Sequence, residues 1–331
     1  MAGPGVGNPT FASTTFTDIV VSSLQGYSGE LADNITNHNA LLRQIDKKGN
    51  KKTATGRSIV QELEYAENST TMWYSGAEEL DISPTETFTA AEFVYKQLAG
   101  NVTITGLEEI QNSGKEAIHN LLKSRIRNLE KSLKNTVATG LYALGTGSSG
   151  KELGGLRFLI ADASSQAAVT GTVGGINSAT YSWWRNYVYN FSAAAVTAST
   201  VSIQHAMNLA WINTIRGSDK PDIITADSTL YLYYLESLTP NQRFMDDKGA
   251  GVGFTNLVYQ ANVPVIYDDQ CPASHMYFLN TDYLFVRPAK GREFKPLGEK
   301  SSVNQDAMVM PVVWAGNMTT SNRQLQAVVL V

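Results

Sequence analysis

Three glycines, Gly145, Gly147 and Gly150, satisfy the G-x-G-x-x-G spacing that lets a backbone close in on a pyrophosphate at a helix N-terminus. That chemistry needs a strand before the glycines and a helix after them, inside one βαβ unit. Here they follow a long helical run and lead into a second turn at Gly154-Gly155, and no lysine–serine pair of the phosphate-loop type comes after. The spacing therefore reads as a helix terminator and loop. His38, His119, His205 and His275 are dispersed, with no H-x-x-x-H pair, and the single Cys271 has no C-x-x-C companion. His119 and His205 fall on helical runs, where a polar-face or satisfied core role is the plain reading. Cys271 precedes Pro272 in a turn and reads as an ordinary thiol rather than an activated nucleophile. Asp246-Asp247 and Asp268-Asp269 could hold calcium weakly, yet lack the glycine and ligand spacing of a dedicated loop. No G-x-S-x-G elbow occurs. No reaction centre, metal site or cofactor site emerges, and the chemistry points away from catalysis.

Bulk properties narrow the classes further. A chain of 331 residues with 43% hydrophobic and 17% charged residues can bury a large core. Its net charge of −4 argues against a free-standing nucleic-acid binder, whose affinity rests on basic residues displacing phosphate counterions. One cysteine permits no intramolecular disulfide. The opening MAGPGVGNPTFASTTFTDIVV has neither a basic n-region nor an apolar core, so it does not read as a signal peptide. No run approaches the ~18 apolar residues of a membrane span. The expectation is a soluble protein made inside the cell, with no membrane contact.

The elements that organise the chain are uneven. From Gly106 to Leu144, apolar or small residues recur at gaps of three and four, including Ile118, Leu122, Ile126, Leu129 and Leu133. Glu108 and Glu109 open this run and Lys123, Arg125, Arg127, Lys131 and Lys134 crowd its later half, as the helix dipole favours. We read one long helix over 106–142, a strut against which the remaining layers lie. Residues 1–16 are small and polar and read as an arm that orders only against another surface; patchy helical character follows to Ile45.

Residues 46–100 contrast with everything else. Lys47, Lys48, Lys51, Lys52 and Arg57 form a basic start. From Ser58 to Val94 there is no Lys or Arg, while Glu62, Glu64, Glu67, Glu78, Glu79, Asp81, Glu86 and Glu92 accumulate. Alternation at Ile59/Gln61/Leu63/Tyr65, at Phe88/Ala90 and at Val102/Ile104 predicts two long strands, joined by a connection too long for a tight turn. A two-stranded hairpin is marginal alone in water. A one-sign projection with Met72, Trp73 and Tyr74 near its tip must lie on another subunit or fold back on its own domain.

Downstream, residues 199–216 read as a helix, with Ser199 or Thr200 as candidate cap and Gly217 as the glycine that ends it. PDIITAD reads as a short buried strand and STLYLYYLESL as a helix closed by Pro240. GFTNLVYQANVPVIYDD, SHMYFLNTDYLFVRP and DAMVMPVVWAGNMTTSNRQLQAVVLV read as strand runs, giving a mixed α+β fold.

This order of parts, with LGGLRFLIAD after the long helix, then VGGINSATYSWWRN, PDIITADSTLYLYYLESL, VPVIYDDQCPASHMYFLNTDYLFV and the closing QDAMVMPVVWAGNMTTSNRQLQAVV, resembles the major capsid proteins of tailed bacteriophages, the HK97-like fold. The resemblance implies an N-terminal arm with a first helical segment at 1–45 and an extended β-hairpin loop at 46–100. It further implies a discontinuous peripheral domain at 101–217 carrying the spine helix 106–142, an axial domain at 218–290, and C-terminal strands at 291–331 returning to the peripheral domain. It implies a non-enzymatic shell subunit that assembles with copies of itself as hexamers and pentamers around double-stranded DNA, which it touches weakly and non-specifically. Assembly would occur in the host bacterial cytoplasm, with the product in the virion capsid. A separate scaffolding protein, a portal and a decoration protein are the implied partners. Intersubunit contacts fall on Arg57, Glu62, Glu64, Met72, Trp73, Tyr74, Glu78 and Glu79 of the extended loop, and the spine-helix core on Ile118, Leu122, Ile126, Leu129 and Leu133. The distal loop has no lysine, so the covalent lysine–asparagine cross-link of some family members is not expected. An encapsulin-type nanocompartment shell shares the fold, and a tail or baseplate structural protein is a further alternative.

Overall fold

The computed structural model describes residues 40–107, 121–238, 257–298, 300–301 and 306–331. The expected N-terminal arm, the first half of the long helix and the loop carrying Asp246-Asp247 lie outside the described residues. The chain divides into two compact units, one built from Leu98–Thr136 and Arg292–Trp314, the other from His38–Gln97, Val137–Gly291 and Ala315–Val331.

The larger unit opens with α1 (Ala40–Lys47), whose Leu41 and Ile45 are buried. A basic strap follows and lies in parallel beside β9 (Leu284–Pro288), through bridges Lys51 to Val286 and Ala54 to Ala289. Next come β1 (Ile59–Glu64) and β2 (Phe88–Phe93), an antiparallel pair in register from Ile59 opposite Phe93 to Glu64 opposite Phe88.

The core of this unit is a six-stranded mixed sheet. Its strands are β4 (Tyr187–Asn190), β5 (Ile223–Ala226), β6 (Leu257–Tyr259), β7 (Val263–Tyr267), β8 (His275–Leu279) and β11 (Ala327–Leu330), in the spatial order β4-β11-β8-β5-β7-β6. β4 with β11 and β5 with β7 are parallel; the other pairs are antiparallel. The central strands IITA, HMYFL and AVVL are buried at every position, so their apolar runs are continuous rather than alternating, as expected of strands covered on both faces. One face packs on α3 (Ile203–Thr214) and α4 (Ser228–Ser237) through Met207, Trp211, Leu230, Tyr234, Met276 and Phe278. The Tyr277 ring on the other face lies 6.2 Å from that of Tyr142. Asp227 caps α4, its carboxylate accepting the Leu230 N–H at 2.9 Å, and also accepts the Ser274 N–H.

The smaller unit holds most of β3 (Lys96–Thr105), the part of α2 (Leu121–Gly140) up to Thr136, and the first part of β10 (Ala307–Thr320). Lys295–Pro296 and Lys300–Ser301 pair with β10, as does β3. In the larger unit the last residues of β10 pair with β9, Leu284 opposite Thr320.

Several boundaries differ from the sequence expectation. The second long strand of the hairpin breaks at Val94-Tyr95, because β2 pairs with β1 whereas β3 pairs with β10. Phe88 and Ala90 consequently face outward, and Ala91 and Phe93 inward. The long helix ends at Gly140, with Leu141 and Tyr142 in a turn. α3 begins at Ile203, and Gly217 (φ +59°) serves a separate turn closed by Arg216 and Asp219 rather than the helix end. SHMYFLNTDYLFVRP is two strands, β8 and β9, on different sheets.

Candidate functional site

Alternation along β1 sorts its side chains into two faces. Ile59 and Leu63, with Ala91 and Phe93 of β2, are buried, while Val60, Glu62 and Glu64, opposite Glu92, Ala90 and Phe88, are exposed. The inward face lies on the hairpin's own unit. Glu92 donates its N–H to the Gly174 carbonyl at 2.9 Å, and a Cβ at Gly174 would stand 2.7 Å from that of Ala91, so the close approach requires glycine there. Tyr65 stacks on Trp183 with ring centroids 5.3 Å apart, and Arg287 Nη2 donates to Gln61 Oε1 at 2.6 Å. Of the two placements the sequence leaves open, the ladder itself takes the second.

Beyond the ladder the picture changes. Every residue from 71 to 84 is exposed. Trp73 is 100% and Ile82 93% exposed, and Met72, Tyr74 and Leu80 are exposed with them. Leaving side chains of this size in water forgoes roughly 1.5–3 kcal/mol apiece of burial free energy. The segment is shaped by short-range polar bonds instead. Asn68 Oδ1 accepts from the Thr70 N–H at 3.0 Å and the Thr85 hydroxyl at 3.2 Å, Glu78 from the Ser75 N–H at 3.1 Å, and Asp81 from the Ser83 N–H at 2.9 Å. The hydrogen bonds from Ser83 hold the Asp81 carboxyl below the usual carboxylate range. Glu79 and Arg57 are exposed too, Arg57 on the basic strap at the other end of the ladder. An exposed apolar patch rimmed by charge marks an interaction surface.

On α2, Leu133 is buried and Ile126 and Leu129 are half-buried. Leu129 Cδ1 and Leu133 Cδ2 crowd Gly100 of β3, where a Cβ would come within 2.5 and 3.3 Å of them. Ile118 lies outside the described residues, as does the side chain of Leu122. Arg125 Nη1 donates to the Thr103 carbonyl at 2.9 Å.

The residues that could do chemistry are placed for packing. Gly145 (φ +78°) and Gly150 (φ +78°) belong to the turns after α2, with no strand before them; Gly155 fits where a Cβ would strike the Gly140 carbonyl at 2.3 Å. Cys271 is buried, its thiol pushed up by desolvation and by the nearby Asp268 and Asp227, which disfavours the nucleophilic thiolate. Asp268 accepts the Tyr142 hydroxyl at 2.8 Å, and burial raises its carboxyl. A shallow cleft lined by Glu92, Lys96, Phe158 and Asn317 brings no nucleophile or ligand set together. Among the described residues no three His, Cys, Asp or Glu side chains gather as a metal site, and no helix is long and apolar enough to cross a membrane.

Sequence reasoning missed Arg323. Fully buried in the turn before β11, it donates Nε to the Leu159 carbonyl at 2.6 Å, Nη1 to Ser178 Oγ and the Trp184 carbonyl at 2.6 and 2.7 Å, and Nη2 to Asn186 Oδ1 at 3.2 Å. Its guanidinium lies 5.8 Å from the Trp184 ring, and burial lowers its pKa to about 10. The polar context SNRQLQ carried no sign of burial, and three of the four acceptors lie in the distant VGGINSATYSWWRN, the fourth at Leu159. A second missed cluster joins Asp162 to His275 (3.2 Å) and Arg157 (2.9 Å). Burial alone would raise the Asp162 carboxyl, but these two partners together bring it below its ordinary value.

No family model matches the sequence, and no curated protein matches it either. Solved structures do. The chain is similar to one in the capsid asymmetric unit of cyanophage A-1(L), at TM-score 0.65 and 16% identity over 91% of this chain and 94% of that one. It is similar to a chain from the capsid of a native GTA particle, at TM-score 0.62 and 12% identity over 93% and 95%. It is also similar to the SrpI encapsulin from Synechococcus elongatus PCC 7942, at TM-score 0.59 and 8% identity over 95% and 94%. At such low identity what is shared is the fold: a mixed helix-and-sheet architecture matching the folds of phage capsid chains across nearly the whole sequence.

Proposed function

We propose that this chain is the structural subunit of an icosahedral tailed-phage capsid, assembling as hexamers and pentamers into a shell that encloses double-stranded DNA. The observation that carries the reading is the fully exposed Trp73 and its apolar neighbours on an acidic projection, within a chain sharing its fold with capsid subunits. Such side chains gain by burial against another copy, and repeated head-to-tail contacts of this kind close into rings. In this reading residues 1–45 are the arm, 46–100 the extended loop, 101–217 and 291–331 the peripheral domain with spine helix 106–142, and 218–290 the axial domain. Arg57, Glu62, Glu64, Met72, Trp73, Tyr74, Glu78 and Glu79 make intersubunit contacts, although the ladder beneath them rests on its own unit. Partners are further copies, a separate scaffolding protein, a portal and a decoration protein, with DNA held weakly because the chain carries a net charge of −4. The shell forms in the host bacterial cytoplasm and functions without cofactor or catalysis.

The likeness to an encapsulin supports a second reading, a protein-filled nanocompartment shell. Electron microscopy of the protein expressed with and without its scaffold tests both. Closed shells holding nuclease-protected DNA when made in infected cells support the capsid; shells that hold only protein support the nanocompartment; protein that stays monomeric at all concentrations refutes both.

A further inference from the structure

The exposed projection carries one sign of charge and the strap beneath it carries the other. Residues 47–57 hold Lys47, Lys48, Lys51, Lys52 and Arg57 and no carboxylate, whereas Ser58 to Val94 hold eight carboxylates and no base. The strap is built into the fold rather than loose: the Ala54 N–H donates to the Pro288 carbonyl at 2.8 Å and the Lys290 N–H to the Ala54 carbonyl at 3.1 Å, which brings Lys290 beside it. Lys52 Nζ lies 5.2 Å from the centroid of the Phe285 ring, and the Arg287 guanidinium 5.0 Å from the same ring. Lys52, Arg57 and Lys290 are exposed. Lys48 pairs with Asp222 (2.6 Å) and Asp282 (2.8 Å) and is set apart from these three.

The six-residue ladder of β1 and β2 stands between strap and tip, and at ~3.3 Å per residue it separates them by about 20 Å. The acidic tip of one copy is thus at the opposite end of the ladder from its own basic strap. We infer that the strap of Lys52, Arg57 and Lys290 is the receptor for the acidic tip, Glu78 to Asp81, of a second copy of this chain. This inference rests on the capsid reading and adds to it the surface on which the projection lands. The contact is heterologous, so each copy offers one tip and one receptor and a closed ring leaves neither unpaired. Charge complementarity would set register and speed association, while Trp73 and Ile82 supply the apolar burial.

The test is a charge swap in the full-length chain, read by light scattering of assembly at low salt and by microscopy. Reversing the strap (Lys52→Glu with Arg57→Glu) or the tip (Glu78→Lys with Glu79→Lys) is expected to slow assembly by about tenfold or more, as juxtaposed like charges cost over a kcal/mol. Combining the two pairs is expected to restore most of the rate. Strap reversal that assembles at the unmodified rate, or a folded swap with no recovery, overturns the inference while leaving the capsid reading intact. Failure of the unmodified chain to form shells sinks the capsid reading itself. Should the swapped chain not fold, zero-length carbodiimide coupling of unmodified shells decides. Links between peptides bearing Glu78 or Glu79 and Lys52 or Lys290, formed between isotopically distinct copies, support the inference; links only to other lysines overturn it.

Discussion

The six-stranded sheet and the far end of the hairpin use similar residue types in opposite ways. In the sheet, Phe278 and Met276 are wholly buried, as is Leu230 of the helix packed on it; from 71 to 84, Met72, Trp73, Leu80 and Ile82 face water. The polar groups flanking its strands are committed as well: Asp227 caps a helix, and Arg323 donates to four acceptors. At the hairpin's far end, Glu78 and Asp81 bond to their own local backbone. The sheet is therefore stabilised by contacts within its own unit, whereas the apolar side chains of the tip are left in water. The difference teaches that apolar content alone does not locate a core; burial depends on whether non-local partners converge.

Substitutions can break or sharpen that contrast, and the largest effect belongs in the sheet. Phe278→Ala is expected to cost about 3–5 kcal/mol in denaturant unfolding, from lost transfer energy and a cavity between β8 and the two helices. A cost below about 1 kcal/mol would mean the sheet is not the core. Next, Arg323→Met should cost about 3 kcal/mol, because the Leu159 and Trp184 carbonyls, Ser178 and Asn186 lose their donor at once. Lysine at that position reaches fewer of these acceptors, so Arg323→Lys should recover only part of the loss.

Smaller again, Asp227→Ala removes the cap of α4 and is expected to cost about 1 kcal/mol, visible as a lower denaturation midpoint at unchanged slope. The pH dependence follows from Asp162. Its carboxyl sits below its ordinary value in the folded state, so the native protein binds that proton less readily than the unfolded chain does. The stability it contributes is present above the unfolded value near 3.8 and is lost as pH falls through the lower folded value. Asp162→Asn should flatten that part of the acid limb, and an unchanged limb would remove the ion pair from the account. Smallest for the isolated chain is Trp73→Ala, expected within about ±0.5 kcal/mol by melting, with assembly yield falling instead. A large drop in melting temperature would place the tip within its own subunit and erase the contrast.

Some of this architecture was legible because it is local. The period of two over Ile59, Gln61, Leu63 and Tyr65 matches the observed faces of β1, and the apolar runs of β5 and β11 lie inside segments read as strands. The latter half of the long helix follows its period of three and four, ending two residues early at Gly140. The glycine triplet was recognisable as a turn because no strand precedes it. Other features resisted reading because they depend on partners distant in sequence. Nothing near Val94 signals that pairing passes from β1 to β10, and nothing near Arg323 signals acceptors at Leu159, Ser178 and Trp184.

By itself, then, the sequence determined the periods, most of the turns, the segregation of charge between 47–57 and 58–94, and the lack of a motif for catalysis. Those properties are written in side-chain type and spacing, which neighbours in the chain suffice to express. Only the tertiary structure decided the strand order, the parallel placement of β11 beside β4, the burial of Arg323, and the split between a ladder seated on its own unit and a tip left in water. Each of those is a choice among non-local pairings, and free energy distinguishes them only when the surfaces meet.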